Sequence, residues 1–474
     1  MPETQTSEGG LKVVIVGAGT SGLMLALLLE LCGIDYVLLE KKSEFRPHSR
    51  ACILCAVIIP IFEQIGLLRE IEDISLPARK FKIKKQNNPQ PIGEIEGSYL
   101  EAKYGYPLLV MPRPALYNIL LSKIPKHKIL LGKRVLSTSQ SELGILVRCA
   151  DGSTYSGDIL VGSDGANSSV RQNLYRQLEA LTPGPTSILP PLSLSVPGND
   201  SDEKSRLDWS WCIVGITNPL DRDQYAELGQ PYSDFVAVMG HKNKEVVWFI
   251  PAANRRLMWV AITPIEKSDK TLCDDGFMAS ELGPEAIEEM CSRYQDFDCP
   301  FGGSMKDIFD QSPPHLMSRI LVQEMIFDKW CGGRTVLLGN ACHKFPMSAG
   351  LNDSVNLAES VALVNQLHEI RSNSVQEIRA AFEQYQAERE PQARRALQFS
   401  KQLHSFFSER GIMAFISRKV SIHRTAEVAW SKTNDFLHKN RPQATFLPMI
   451  PQRGEFKRQD PVPSSVPRRV RKFE

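Results

Sequence analysis

The chain lacks a segment that could cross a membrane as a helix. Such a helix needs about 20 apolar residues, whereas the apolar run Ala51–Phe62 spans twelve and carries Pro60. Cysteine is also scarce. Ten cysteines scattered over 474 residues are too few to staple a disulfide-dependent fold. Cys52 and Cys55 form one C-x-x-C, and no second pair follows at zinc-ribbon spacing. They lie inside the apolar run, so buried thiols are expected there, not a metal or redox pair. Charge of one sign is missing too. Lys+Arg is 56 and Asp+Glu is 54, a formal net charge of +2, which argues against a nucleic-acid-binding field over the chain. The first ten residues, MPETQTSEGG, contain no apolar signal core. The location expected is therefore cytoplasmic or peripheral to an intracellular membrane. No Ser-His-Asp or Cys-His pattern marks a protein nucleophile.

What remains is an ordinary soluble composition, 42% hydrophobic and 23% charged, which permits a large core and excludes wholesale disorder. At about 150 residues per domain, two or three units are expected. The most informative stretch comes first. Val13-Val14-Ile15-Val16 is a β-branched run suited to a buried parallel strand. Gly17-Ala18-Gly19-Thr20-Ser21-Gly22 follows, then the helix-like Leu23–Leu29, a stop at Gly33, a second strand at Tyr36–Leu39, and Glu40. Strand, glycine turn, helix, strand and acid form a dinucleotide-binding pattern. Gly17 permits the tight turn, Gly19 admits a diphosphate close to the backbone, and Gly22 lets helix and strand pack closely. The helix N-terminus offers free N–H groups and positive dipole to phosphate. Glu40 stands where a ribose-binding acid belongs, which favours a free ribose hydroxyl over a 2′-phosphate.

Further on, the apolar spacing predicts a helix between Arg50 and Arg69, with Ile58, Ile61, Phe62 and Ile65 on one face. Tyr106–Arg113 reads as a strand entering a helix that contains Leu116, Ile119 and Leu120. Residues 128–162 alternate strands and turns, with Asp151-Gly152 a hairpin turn. Ile159–Gly162 then meets the small-residue turn Ser163-Asp164-Gly165-Ala166 and a helix. Residues 178–205 read as a Pro/Ser/Gly-rich loop. Strands at Phe235–Met239, Val246–Ile250 and Leu257–Thr263 suggest a separate sheet, and a helix is expected around Gly283–Tyr294. A third strand-to-turn junction is Thr335–Leu338 into Gly339-Asn340-Ala341-Cys342-His343-Lys344. A helix is expected over Ser354–Glu369 and one or more surface helices over 374–410. The end, from Arg453, is basic and proline-rich and reads as a tail.

Three landmarks in this order, the glycine fingerprint with Glu40, Gly162-Ser163-Asp164-Gly165 and Gly339-Asn340-Ala341-Cys342-His343, resemble the single-component FAD-dependent monooxygenases of the aromatic-hydroxylase type. Phe327-Asp328-Lys329-Trp330 before Gly332-Gly333-Arg334, and Phe446–Pro451, resemble the fungal secondary-metabolism branch that includes paxilline-type prenyl epoxidases. The resemblance covers roughly residues 11–451. It implies an α/β fold: a Rossmann-like FAD-binding domain of glutathione-reductase type, an inserted mixed β-sheet substrate domain, and C-terminal helices. The expected partition is 1–10 as a disordered N-terminus; 11–80, 104–175 and 320–372 as the FAD-binding domain; 81–103 and 176–319 as the substrate domain; 373–451 as a helical region; and 452–474 as a flexible basic tail.

The resemblance also implies site residues. Arg50, in Ser49-Arg50-Ala51, matches an arginine that reaches the diphosphate, and Arg113 one at a helix start near the flavin. Asp164 and Gly165 match the flavin/nicotinamide junction, although Asp164 or Asn167 is equally suited to cap the following helix. Asn340 stands where the family has a carboxylate that accepts from a ribityl hydroxyl, so a neutral bond replaces a charge-assisted one. Gly350-Leu351-Asn352-Asp353 replaces a glycine-rich run over the flavin. Asp353 either faces the isoalloxazine or, with Asn352, caps a helix. His343 is the weak catalytic candidate, with a structural role as the alternative. The implied chemistry is NADPH or NADH reducing FAD, and one oxygen atom of O2 transferred from a flavin hydroperoxide to a small apolar substrate, the other leaving as water. A homologue with lost or altered redox activity is the alternative that Asn340 and Asp353 motivate. Trp209, Trp211, Phe235, Trp248, Phe249 and Trp259 supply aromatic surface to the second sheet, mostly as core.

Overall fold

Val13, Val14 and Ile15 have no accessible surface, as a β-branched strand covered on both faces should. They lie in a computed structural model that describes residues 10–45, 50–88, 90–181, 210–240, 245–264, 284–322, 324–346, 349–408, 425–458 and 461–466. The chain begins with β1 (Lys12–Val16), α1 (Thr20–Cys32) and β2 (Asp35–Leu39). Next come β3 (Ala51–Leu54), α2 (Ile59–Gln64), α3 (Leu68–Asp73), β4 (Leu76–Lys85), β5 (Gly93–Glu96), α4 (Tyr99–Tyr104), β6 (Leu109–Pro112) and α5 (Arg113–Ser122). Short strands follow: β7 (Ile129–Leu130), β8 (Val135–Ser141), β9 (Gly144–Cys149), β10 (Thr154–Gly157) and β11 (Ile159–Gly162), leading into α6 (Ser169–Leu181). β12 (Ser210–Ile216), β13 (Ser233–Met239), β14 (Val246–Ala252) and β15 (Arg256–Pro264) precede α7 (Pro284–Tyr294), α8 (Met305–Asp310) and β16 (Met317–Val322). The remainder is β17 (Met325–Ile326), β18 (Cys331–Gly332), β19 (Thr335–Leu337), β20 (His343–Lys344), α9 (Asn352–Glu369), α10 (Val375–Ser408) and α11 (Thr425–Lys439).

Two large sheets organise these elements. The first has the order β18-β19-β11-β1-β2-β7. All its neighbours pair in parallel except the edge pair β18–β19. α1 is buried almost all round because it lies against both this sheet and α9. The Ser360 hydroxyl donates to the Ser21 carbonyl across the helix pair (3.1 Å). The second sheet runs β16-β12-β15-β14-β13-β4-β6-β3, with β5 on β4. It is mixed, since β13 and β4 are parallel and the other pairs antiparallel. One face packs Phe249, Trp259 and Val247 on Met290, Tyr294, Met305 and Ile308 of α7 and α8. The opposite face carries Cys212, Val214, Val260, Ile262 and Val322, with Trp248 and Ile320 beside them. Phe235, Phe249 and Trp259 are thus core, and Trp209 lies outside the described residues.

Several expectations change. Ala51–Leu54 is a strand, not the start of a helix, because it pairs antiparallel with β6. Helix begins only at Ile59, with Pro60 in the first turn, where a missing N–H costs nothing. α6 continues to Leu181, and the rest of the loop expected over 178–205 lies outside the described residues. Within the expected 374–410 region, Val375–Ser408 is one long helix, α10, which buries Ile378, Phe382, Tyr385 and Arg389 instead of lying wholly on the surface, and 409–410 lie outside the described residues. The tail expected from 452 is tied down over its first part. The Arg453 guanidinium pairs with Glu63, and the Glu455 and Phe456 amides donate to the carbonyls of Ala102 (3.1 Å) and Lys103 (2.8 Å). The expected disordered stretch at 1–10 falls outside the described residues except for Gly10.

Candidate cofactor site

β1, β11 and β19 are adjacent and parallel, so the turns leaving their C-terminal ends meet at one edge, where open α/β sheets bind ligands. Hydrogen bonds join the turns directly. The Ser163 amide donates to the Val16 carbonyl (2.8 Å), and its hydroxyl to the Gly17 carbonyl (2.8 Å). The Leu338 amide donates to Gly162 (2.9 Å).

The fingerprint glycines differ in what surrounds them. Gly17 has φ +103°, and a Cβ there would lie 2.5 Å from the Ser163 oxygen. A Cβ on Gly22 would lie 2.0 Å from the Gly17 oxygen, so helix and turn touch through bare backbone. A Cβ on Gly19 or Gly165 would meet nothing within 4 Å. Two glycines are therefore required by the fold, while Gly19 borders open space. Glu40 follows β2 and accepts from the amides of Ala18 (2.8 Å) and Lys42 (2.9 Å), tying strand end to glycine turn.

The β3–β6 pair places Ala51 opposite Pro112. That brings Arg50 and Arg113 to one corner, where the Arg113 amide donates to the Arg50 carbonyl (2.9 Å). From the first turn of α5, Arg113 Nη2 donates to Thr20 Oγ1 at the start of α1 (2.9 Å), and its Nε donates to Asp353 Oδ1 (3.1 Å). Arg50 Nη2 lies 3.8 Å from the same carboxylate oxygen. Asp353 is 5% exposed. Burial raises its pKa, but the two guanidinium groups and the Cys52 thiol outweigh burial and hold it below the usual carboxylate value. Burial first, then Asp353, pushes the Cys52 thiol well up. Neither Asn352 nor Asp353 caps α9. The helix starts at Asn352 behind Leu351 with no side-chain cap, Asn352 Nδ2 donates to the Phe345 carbonyl (3.1 Å), and Asp353 turns to the arginines. Asp353 gains more there, because a buried carboxylate needs a charge partner and a cap offers only amides.

Asp164 does cap α6, accepting from the amides of Ser169 (2.7 Å) and Val170 (3.2 Å). Asn340 Oδ1 accepts from Asn356 Nδ2 (2.9 Å), while Asn356 Oδ1 is buried without a partner among the described residues. Turning both amides over together would let Asn340 Nδ2 donate to Asn356 Oδ1 and free Asn340 Oδ1. Gly350 packs on Ile53, whose Cδ1 would lie 2.7 Å from a Cβ there. His343, fully buried, lies behind the third turn. Its Nε2 lies 2.5 Å from Glu359 Oε1, Glu359 Oε2 accepts from the Gly339 amide (3.0 Å), and its ring stacks on Phe345 with centroids 4.4 Å apart. The structural role fits this placement. Lys344 next to it is electrostatically coupled to Arg50 and to the Cys212 thiol on the second sheet. Burial first, then Arg50, lowers its pKa to about 8.

Sequence reasoning missed Arg171 of α6. Its Nη2 donates to the Ala166 carbonyl (2.6 Å) and its Nη1 to the Ala341 carbonyl (3.0 Å), with the guanidinium 3.9 Å over Phe327. One side chain thereby fastens the second turn to the third. Nothing local marks it. Glu359 and Asn356 had a signal: polar residues one turn apart between the apolar Val355, Leu357, Ala358, Val361 and Ala362.

The corner fits an anionic dinucleotide. Space is open over Gly19, α1 carries no acid in its first turn and no side-chain cap, and the buried Arg50 Nε has no partner among the described residues. Fold and site together define a dinucleotide-binding α/β protein with a second large sheet. The chain belongs to the FAD-binding-domain family, whose model matches residues 10–271.

Similar proteins include FAD-dependent monooxygenase esdpE of Penicillium shearii, 29% identical over 364 residues, covering 75% of this chain and 68% of that protein. Another is FAD-dependent monooxygenase ausM of Emericella nidulans, 25% identical, covering 96% of this chain and 90% of that protein. Among solved structures, Klebsiella pneumoniae HpxO complexed with FAD and uric acid aligns with a TM-score of 0.70 at 17% identity, over 93% of this chain and 100% of that one. The 2,6-dihydroxypyridine-3-hydroxylase of Arthrobacter nicotinovorans aligns at 0.64 and 16% identity, over 86% and 97%. At these identities the structures speak for the fold alone. No helix among the described residues is long and apolar enough to cross a membrane.

Proposed function

We propose that this chain is an FAD-dependent monooxygenase that uses NAD(P)H and O2 to epoxidise or hydroxylate a small apolar secondary-metabolite intermediate, prenylated or polyketide-derived. Bound FAD supplies the chemistry, accepting electrons from the nicotinamide and passing one oxygen atom of O2 to the substrate. The protein's part is holding, orienting and drying. Gly17, Gly19 and Gly22 bring the α1 N-terminus to the diphosphate, with Arg50 and Arg113 as charge partners and Glu40 on the adenosine ribose. Asp164 and Gly165 shape the flavin/nicotinamide junction, Asn340 accepts from the ribityl chain, and Gly350 borders the ring, while Asp353 stays with the two arginines. The sheet face with Cys212, Val214, Val260 and Ile262 gives an apolar wall that excludes water from the oxygen-transfer step.

One observation carries this reading: three strand-end turns from one parallel sheet are hydrogen-bonded together beside a corner of two arginines. The test is incubation of the flavin-loaded protein with NADPH or NADH, labelled O2 and candidate prenylated and polyketide intermediates. Mass spectrometry should find one labelled oxygen atom in a product, and label found only in peroxide or water would contradict the reading. A second reading, a flavin protein with altered redox activity, is favoured by the carboxylate of Asp353 among the arginines. It predicts flavin bleaching by NAD(P)H without oxygen incorporation, or no bleaching at all.

A further inference from the structure

Arg50 and Arg113 sit within 4 Å of one internal carboxylate, Asp353, contributed by a helix 240 residues further along the chain. The carboxylate is almost fully buried, is held in its charged form by these two groups, and receives Arg113 Nε in good hydrogen-bonding geometry. The other arm of Arg113 reaches Thr20, the first residue of the helix behind the glycine turn. The guanidinium pair therefore serves two addresses: the α1 N-terminus, where a diphosphate is favoured, and the Asp353 carboxylate. Carboxylate and phosphate oxygens compete for the same fork of N–H donors.

We propose that Asp353 is a built-in competitor for the cofactor diphosphate, an internal anion that shares Arg50 and Arg113 with FAD and weakens its binding. The inference rests on the placement of the diphosphate at those arginines. It assigns Asp353 two opposite effects. The carboxylate stabilises the flavin-free chain by offsetting the charge of two half-buried cations, whose loss of a partner is costly. It destabilises the loaded chain, because it leaves a third negative group beside two phosphates. A side chain that merely organised the arginines would support both states.

The test compares wild type, Asp353→Ala and Asp353→Asn, each stripped of flavin and titrated with FAD by fluorescence quenching. Thermal melts are run without ligand, with FAD and with inorganic diphosphate. Both variants should melt lower without ligand, bind FAD at least about tenfold tighter, a gain of about 1.4 kcal/mol, and show a larger upward melting shift with inorganic diphosphate. Placing Arg113→Gln in the Asp353→Ala background should remove the gain. Unchanged or weaker FAD binding in both Asp353 variants, with Arg113→Gln alone still weakening it, overturns the competitor and leaves the site reading intact. FAD binding insensitive to Arg113→Gln and to Arg50→Gln in every background overturns both, because the diphosphate then lies elsewhere.

Discussion

Alanine at Gly19 and at Gly22 should fail in different ways, although the two glycines share one turn. At Gly22 the new Cβ would stand 2.0 Å from the Gly17 oxygen and 2.6 Å from Ser163 Oγ, where real Cβ atoms essentially never come closer than 3.0 Å. The nearest atom is backbone, so the turn itself must move. Overpacking of this kind costs about 1–3 kcal/mol, and the fixed backbone places it near the upper end. At Gly19 the Cβ meets nothing within 4 Å, and the backbone, at φ −71° and ψ 176°, suits any residue. Alanine loses some preference for the N-cap, up to about 1 kcal/mol, and gains about 0.4–1 kcal/mol from a stiffer unfolded chain. The two nearly cancel. Gly19→Ala should thus melt close to wild type yet lose FAD affinity at least about tenfold, about 1.4 kcal/mol, because its methyl fills the space kept for the diphosphate. Gly22→Ala should lose both. Melting of the flavin-free proteins and FAD titration separate the cases. Gly19→Ala with wild-type FAD affinity, or destabilised as much as Gly22→Ala, would refute the division of labour drawn for the turn.

Asn340→Asp should tighten FAD about fivefold, about 1 kcal/mol for turning a neutral acceptor into a charged one, by the same titration; unchanged or weaker binding counts against its ribityl role. Arg171→Met strips the buried Ala341 carbonyl and the half-buried Ala166 carbonyl of their donor and should lower stability by about 2 kcal/mol and weaken FAD binding, with Arg171→Lys recovering part of both; a variant that melts like wild type removes its role as the tie between turns. Lys344, lowered to about 8 in the fold from 10.5, binds fewer protons folded than unfolded between those values, so its penalty on stability is full below pH 8 and fades as pH rises to 10.5. Lys344→Met should therefore exceed wild type in stability most at pH 7, with the difference narrowing across that window in pH-dependent melts; a widening difference contradicts the assignment.

Local physics made half of this molecule readable in advance. Val13–Val16, the glycine turn and Glu40 lie within one strand–helix–strand unit, where each residue's neighbours in sequence are its neighbours in space. Ala51–Leu54 misled because a short apolar run fits strand and helix equally, and only pairing with β6 decides between them. The distant partnerships were not legible. Arg113 meets Asp353 across 240 residues, and Arg171 meets Ala341 across 170. Asp353 looked like a helix cap because capping is a local signal, whereas its buried charge partners come from two other elements.

The most direct test of the convergent turns is a crystal structure of the protein with FAD. The account predicts an extended cofactor with its diphosphate within hydrogen-bonding distance of the Gly19–Thr20 backbone and of Arg113, and its ribityl chain beside Asn340. Flavin seated away from these turns, or a diphosphate that touches neither Arg50 nor Arg113, would contradict it.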